Sequence, residues 1–184
     1  MAVKAIALES GCGISIIPVA VDHAAVLAAL VERNIDHLRA YLPLVASLSS
    51  PAAARAHLGA ALVGAGKGEF LEWHLFSGGA LCGAIRVKHI DAGNRKAEIG
   101  YFIGSEFAGK GIVSRAVRTV LAYCFQSLQL NRMELRCASA NEPSMRVAER
   151  LGFTREGVLR QAEWLDGVFV DELVYGLLRA EFNH

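Results

Sequence analysis

The sequence predicts one mixed α/β domain, residues 1–184, built as a central sheet flanked by helices. Three observations carry this expectation. Period-two and helical hydrophobic patterns follow one another with no repeat, low-complexity tract or linker between them. Turn-forming residues, Ser77-Gly78-Gly79 and Asp166-Gly167, separate β-rich runs at hairpin spacing. A chain of 184 residues, 53% hydrophobic and 20% charged, is long enough for one substantial core and too short for two.

The elements read as follows. Ile14 to Val19 is a short apolar run closed around Pro18, a first strand. Ala24 to Leu42 reads as helix. Ser50-Pro51 starts the next helix, a capping hydroxyl followed by proline at the first helical position, and that helix runs to about Val63. Phe70 to Phe76 and Ala80 to Ile90 pair as a hairpin, and a third strand, Ala97 to Ile103, follows the turn at Asp91 to Asn94. From Val113 to Leu128 the apolar residues recur at three- and four-residue steps, giving a helix with one buried stripe. Met133, Leu135 and Cys137 alternate with Glu134 and Arg136, so Asn131 to Ser139 is a strand with one side buried. Glu142-Pro143 opens a short helix capped at Gly152, and Asp166-Gly167 turns a closing hairpin.

Composition narrows the function. Nineteen basic against eighteen acidic residues leave a net charge of +1, which gives no footprint for duplex nucleic acid. The cysteines Cys12, Cys82, Cys124 and Cys137 are scattered among apolar neighbours and read as buried thiols in a reducing compartment. No zinc-ligand spacing is present, so no metal is expected. No secretion signal or bilayer-length apolar run is evident, and a cytoplasmic location is the expectation.

The stretch GSEFAGKGIVSRAV, Gly104 to Val117, resembles a Walker A loop up to Lys110, but Gly111 stands where magnesium binding needs a hydroxyl. The local physics still suits an anion. Gly109 and Gly111 can aim consecutive N–H groups at one point, and the helix starting near Ile112 adds the positive end of its dipole. Such a loop can hold a pyrophosphate without cleaving it. Alternatively, the glycines only turn a strand into a helix.

The strand end EIGYFIG, the loop FAGKGI, and then LNRMELR, NEPS, AERLGF and the hairpin WLDGVFVDELVY together resemble the GNAT acetyltransferases. Within them the chain resembles the RimL-like and RimJ-like branch, which acetylates N-terminal amines of ribosomal proteins. The resemblance implies a mostly antiparallel, splayed sheet of about six or seven strands with about four helices. It implies acetyl-coenzyme A as co-substrate, without metal. The acceptor would be a peptide or protein N-terminus or a small amine, with no nucleic acid or membrane partner and with room for a homodimer.

Residue by residue, the family's loop pattern falls on Ala108, Gly109, Lys110, Gly111, Ile112 and Val113, with alanine in place of Gln or Arg and valine in place of a small residue. Tyr101, Phe102 and Ile103 match the splayed edge whose main chain pairs with the pantetheine arm. Glu98 matches a carboxylate used as base, or is a strand glutamate with an ion partner. Asn141 matches the residue that bonds the pantetheine arm, and it also reads as a helix N-cap. Ser144 matches a serine near the sulfur and is the candidate proton source for the thiolate, Ala148 standing where many members carry tyrosine. His89 is a further candidate base. Trp73, His74 and Trp164 could line the acceptor pocket or belong to the core. The acceptor walls would be Ala24 to Leu42 and Trp164 to Val170, both mostly apolar. A non-catalytic acyl-coenzyme A-binding module and a nucleotide-binding module are the alternatives from other classes.

Overall fold

The computed structural model describes residues 7–9 and 13–182. Eight strands form one sheet: β1 (Leu8–Glu9), β2 (Ile14–Pro18), β3 (Leu71–Ser77), β4 (Ala80–Asp91), β5 (Lys96–Ile103), β6 (Arg132–Ala138), β7 (Thr154–Leu165) and β8 (Val168–Leu178). Their spatial order is β1-β2-β3-β4-β5-β6-β8-β7. Neighbours are antiparallel except β5 and β6, which run parallel because a helix connects them. The strand count exceeds the expected six or seven because the two-residue β1 pairs with β2 ahead of the predicted first strand.

The helices are α1 (Ala24–Arg33), α2 (Ile35–Arg39), α3 (Pro43–Ala46), α4 (Pro51–Gly66), α5 (Ile112–Gln126) and α6 (Glu142–Arg150). The continuous helix expected over Ala24 to Leu42 is corrected to two pieces followed by a third. The first break falls at Asn34, whose backbone leaves the helical region at φ −119° and ψ 16°. The second precedes Pro43, which disfavours helical geometry at Leu42, found at φ −142° and ψ 63°. The Ser50 cap is present, its side chain accepting the Ala53 N–H. Asp166 and Gly167 both take positive φ, 46° and 85°, as a two-residue hairpin turn of the primed kind needs.

The sheet separates two cores. On one face the stripe of α5, from Ile112 through Ala116, Val120 and Cys124, packs with Ile85, Ile99, Leu135 and Tyr175. On the other, α1 and α4 pack through Leu27, Leu30, Ala54 and Leu58 over Ala84 and Phe102. Trp73 lies in the first core with its ring edge against Tyr123, and His74 is fully buried against His23, so neither is a pocket aromatic. Cys82, Cys124 and Cys137 are buried free thiols, as expected, while Cys12 lies outside the described residues. Among the described residues no helix is long and apolar enough to cross a membrane.

Candidate active site

The parallel pairing of β5 with β6 runs only from Lys96↔Arg132 to Ile99↔Leu135. Beyond it the strands part. β4 accompanies β5 to Ile103, and β8 accompanies β6 to Ala138, so each half of the sheet is complete on its outer side. The Gly104 N–H donates to the Cys82 carbonyl at 2.8 Å. Alternation along the strand therefore turns the main-chain groups of Phe102 toward β4 and those of Tyr101 and Ile103 into the gap. Phe102 also buries its ring in the second core.

The gap is the spine of a cleft of about 400 Å³. One end is the glycine loop. After a 3-10 turn at Ser105–Phe107, Gly109 and Gly111 take φ of 73° and 71°, and Gly111 caps α5 from the left-handed region. Ala108, Gly109, Gly111, Ile112 and Val113 all line the cleft. Lys110 does not; its ammonium lies 5.7 Å from the Phe107 ring centroid. Arg146 and Arg150 on α6 also line the cleft; Arg150 Nη1 donates to Ser114 Oγ at 3.3 Å in the first turn of α5, and Arg146 Nη1 to Glu142 Oε2 at 3.0 Å. The N-terminus of a fifteen-residue helix, permissive glycines and two guanidinium groups suit a pyrophosphate, and the free strand edges suit an extended amide-bearing arm.

At the middle of the cleft, Asn141 Oδ1 accepts the Ser144 N–H at 3.2 Å, fixing the first turn of α6. The Ser144 hydroxyl lies 2.9 Å from the Tyr101 hydroxyl. Burial raises the Tyr101 pKa well above the phenol range, although the Ser144 bond pulls the other way, so the phenol stays protonated. Burial also raises the Cys137 thiol, which lines the cleft beside them.

The other end lies under the closing hairpin. Glu98 is 7% exposed and meets Lys88 Nζ at 2.8 Å, His89 Nδ1 at 3.1 Å and Arg136 Nε at 3.8 Å. His89 sits at a bulge with φ 52°, its side chain largely exposed, and it does not line the cleft. Glu98 thus lines the cleft and has ion partners.

Two glutamates that sequence reasoning missed, Glu163 and Glu172, also line this end. Burial raises the pKa of each; Glu172 adds to the effect on Glu163, and Glu98 to that on Glu172. The mostly apolar wall expected at Trp164 to Val170 is corrected accordingly: Trp164 is 56% exposed and faces away, stacked edge-on with Phe169, and carboxylates face in. The hairpin is irregular here: Leu159 pairs with Glu172 and Glu163 with Val170, so β7 carries two extra residues, pinned where the Gln161 N–H donates to Asp171 Oδ1 at 2.9 Å. Of the other expected wall, Ala24 to Leu42, only His37, Leu38, Tyr41 and Leu42 line the cleft, and the Tyr41 hydroxyl reaches the Ala140 carbonyl at 3.2 Å.

An interrupted parallel pair, opened over a glycine loop at a helix N-terminus, matches the family resemblance of the sequence. The acetyltransferase (GNAT) domain family matches residues 14–154. The chain belongs to the GNAT acetyltransferase family. It is 44% identical over 113 residues to YdaF of Bacillus subtilis (strain 168), whose name provisionally assigns it to ribosomal N-acetyltransferases. That match covers 61% of this chain and 62% of YdaF. It is 37% identical over 101 residues to the ribosomal-protein-serine acetyltransferase of Escherichia coli (strain K12), covering 55% of this chain and 56% of the relative. The chain thus spans about three fifths of the length of the curated relatives it matches. Among solved structures, the microcin C7 self-immunity acetyltransferase MccE, in complex with acetyl-coenzyme A and AMP, has a TM-score of 0.88 at 25% identity, covering 96% of this chain and 98% of that one.

Within this GNAT domain, Arg146 and Arg150 were legible as an i, i+4 pair on one helix face. Glu163 was not, because the irregular pairing of β7 with β8 leaves no mark in hydrophobic alternation.

Proposed function

We propose that the chain transfers an acetyl group from acetyl-coenzyme A to a primary amine by direct attack, and that a peptide or protein N-terminal α-amine is the acceptor. The single observation that carries this is the parted β5/β6 pair over the Gly109–Gly111 loop, which supplies free main-chain groups and an anion cradle in one cleft. Family membership supports the transfer, and the names of the two ribosomal relatives support the acceptor. When bound, acetyl-coenzyme A supplies an activated thioester carbonyl.

The chain's residues then divide the work. The loop N–H groups, with Arg146 and Arg150, hold the pyrophosphate. Main-chain groups of Tyr101 and Ile103 hold the arm, and an N–H there stabilises negative charge developing on the carbonyl oxygen. A terminal amine is already partly neutral near pH 7, so a weak base suffices. Glu163 fits that task better than Glu98 or His89: it lines the cleft, its pKa is raised, and the Glu98 carboxylate is engaged by the cations of Lys88 and Arg136 and by the His89 ring. As the amine forms its bond to the carbonyl carbon and the carbon–sulfur bond breaks, Glu163 receives the amine proton. The Ser144 hydroxyl, hydrogen-bonded to Tyr101, delivers a proton to the thiolate and takes one back from solvent, to which Glu163 gives up the amine proton. This reading places the protein in the cytoplasm, with the ribosomal proteins.

The carboxylates at the hairpin end favour a second reading, in which the acceptor is a small molecule carrying further ammonium groups. A panel of α-amine peptides, N-blocked lysine peptides, aminoacyl compounds and spermidine, followed by coenzyme A release, separates the two. Turnover of short peptides with a free α-amine above all others is expected. Release with spermidine alone transfers the assignment to small amines, and no release with any amine leaves only an acyl-coenzyme A-binding module.

A further inference from the structure

Asn34 is a polar side chain only 3% exposed, and it uses its amide in four hydrogen bonds. Its Nδ2 donates to the Leu30 carbonyl at 3.0 Å and to Glu106 Oε2 at 3.0 Å. Its Oδ1 accepts the Ser105 N–H at 2.7 Å and the Ser105 hydroxyl at 2.8 Å. Two of these partners lie more than seventy residues away in sequence, in the turn that leads from β5 into the glycine loop. The packing there leaves no room: a Cβ on Gly104 would stand 2.9 Å from Leu30 Cδ1 and 3.2 Å from Asn34 Nδ2.

The main chain of Asn34 does a second job. Its N–H donates to the Val31 carbonyl at 3.0 Å, ending α1, and its carbonyl accepts the Leu38 N–H at 2.9 Å, starting α2. The helix that begins there carries His37 and Leu38 and leads to Tyr41 in the following turn, and all three line the cleft. One residue therefore fixes both the departure of the glycine loop from the sheet and the angle of the opposite wall. A purely apolar break would set the helices without touching the loop. A buried amide fully satisfied by both elements costs little to keep and much to mismatch.

We infer that Asn34 is a positioning residue that aligns the coenzyme loop with the acceptor wall, so that the two binding sites are set together. The inference rests on the assignment of the loop to coenzyme A and of the α2 wall to the amine. Asn34 itself does not line the cleft, and its effect passes through Ser105–Glu106 on one side and α2 on the other.

Three variants test it, with coenzyme A affinity read by calorimetry, acceptor KM at saturating acetyl-coenzyme A, and Tm. Asn34→Asp retains the acceptor for Ser105 but sets two carboxylates against each other at Glu106. It should weaken coenzyme A binding and raise acceptor KM together, each by about tenfold. Adding Glu106→Gln gives that carboxylate a donor again, and most of both losses should return. Ser105→Ala removes one exposed hydroxyl, is safe for folding, and should show a smaller loss in the same two constants with Tm nearly unchanged. Wild-type affinity and KM in Ser105→Ala and Asn34→Asp overturn the inference. So does a double variant that regains Tm but neither constant, which would make Asn34 a stability residue only. Wild-type protein that binds no coenzyme A overturns the loop assignment instead, so the two failures are distinct.

Discussion

The Tyr101 and Ser144 hydroxyls stand 2.9 Å apart, one on the free edge of β5 and the other in the first turn of α6. Neither element alone presents a proton to the cleft. The pair bridges the gap, and burial keeps the phenol protonated. Ser144→Ala is expected to lower turnover by about 10²–10⁴-fold while leaving coenzyme A affinity nearly intact. Tyr101→Phe should fall within the same range, and the double variant should be little worse than the poorer single one, because the two act as a unit. Fully additive losses would show independent roles.

Glu163 and Glu98 should answer the same substitution with opposite changes in stability. The folded-state pKa of Glu163 is raised, so the native protein holds its proton more tightly than the unfolded chain does. Stability is then lost as pH rises through the raised value, and the charged carboxylate costs stability at pH 7. Glu163→Gln should raise Tm at pH 7 and lower kcat/KM, with the Tm gain gone below about pH 4. Glu98→Gln should lower Tm, since Lys88, His89 and Arg136 lose their shared carboxylate. A Tm gain for both would remove the distinction drawn between them.

Much of this arrangement was open to reading in the linear chain. The stripe of α5, the alternation in β6 and the glycine loop follow from short-range periodicity and turn chemistry, and they fix where the cleft opens. Asn141 and Ser144 were legible because a cap and its third helical residue are neighbours in sequence. The break at Asn34 was not, since the three bonds that hold its side chain to Ser105 and Glu106 lie outside any local window. The placement of Glu163 likewise depends on how β7 slips against β8. Long-range bonds and strand slippage decided what periodicity left open.

Gly111 carries a third prediction. Its φ of 71° is strained for any β-branched residue, and a Cβ would lie 3.0 Å from Arg115 Nη1. Wild-type protein should gain Tm with millimolar acetyl-coenzyme A and no metal, by mass action. Gly111→Val should abolish the gain. A Tm rise in the variant equal to that of wild type would refute the loop's role.

The buried His74 sets the behaviour in acid. Burial is the main cause that lowers its pKa from 6.5 to about 4, with the nearby imidazoles His23 and His57 adding to it and Glu72 opposing. Its folded-state value is depressed, so the unfolded chain binds the proton first and stability falls as pH drops from 6.5 through 4. The loss is on the order of 3 kcal/mol over that window. His74→Leu should flatten the acid limb of a Tm-against-pH profile. An unchanged limb would place the acid sensitivity elsewhere.

The join between the half-sheets, four register pairs from Lys96↔Arg132 to Ile99↔Leu135, has a consequence for the catalytic cycle. Above that join the sheet lacks a rung, and the main-chain groups of Tyr101 and Ile103 face the gap. On the proposed function, a co-substrate arm lying in the gap would supply the rung and make the sheet continuous from β1 to β7. Loading would then complete the protein's own architecture, and release would undo it. On that reading, the two halves would be held more stiffly with the arm in place than without it.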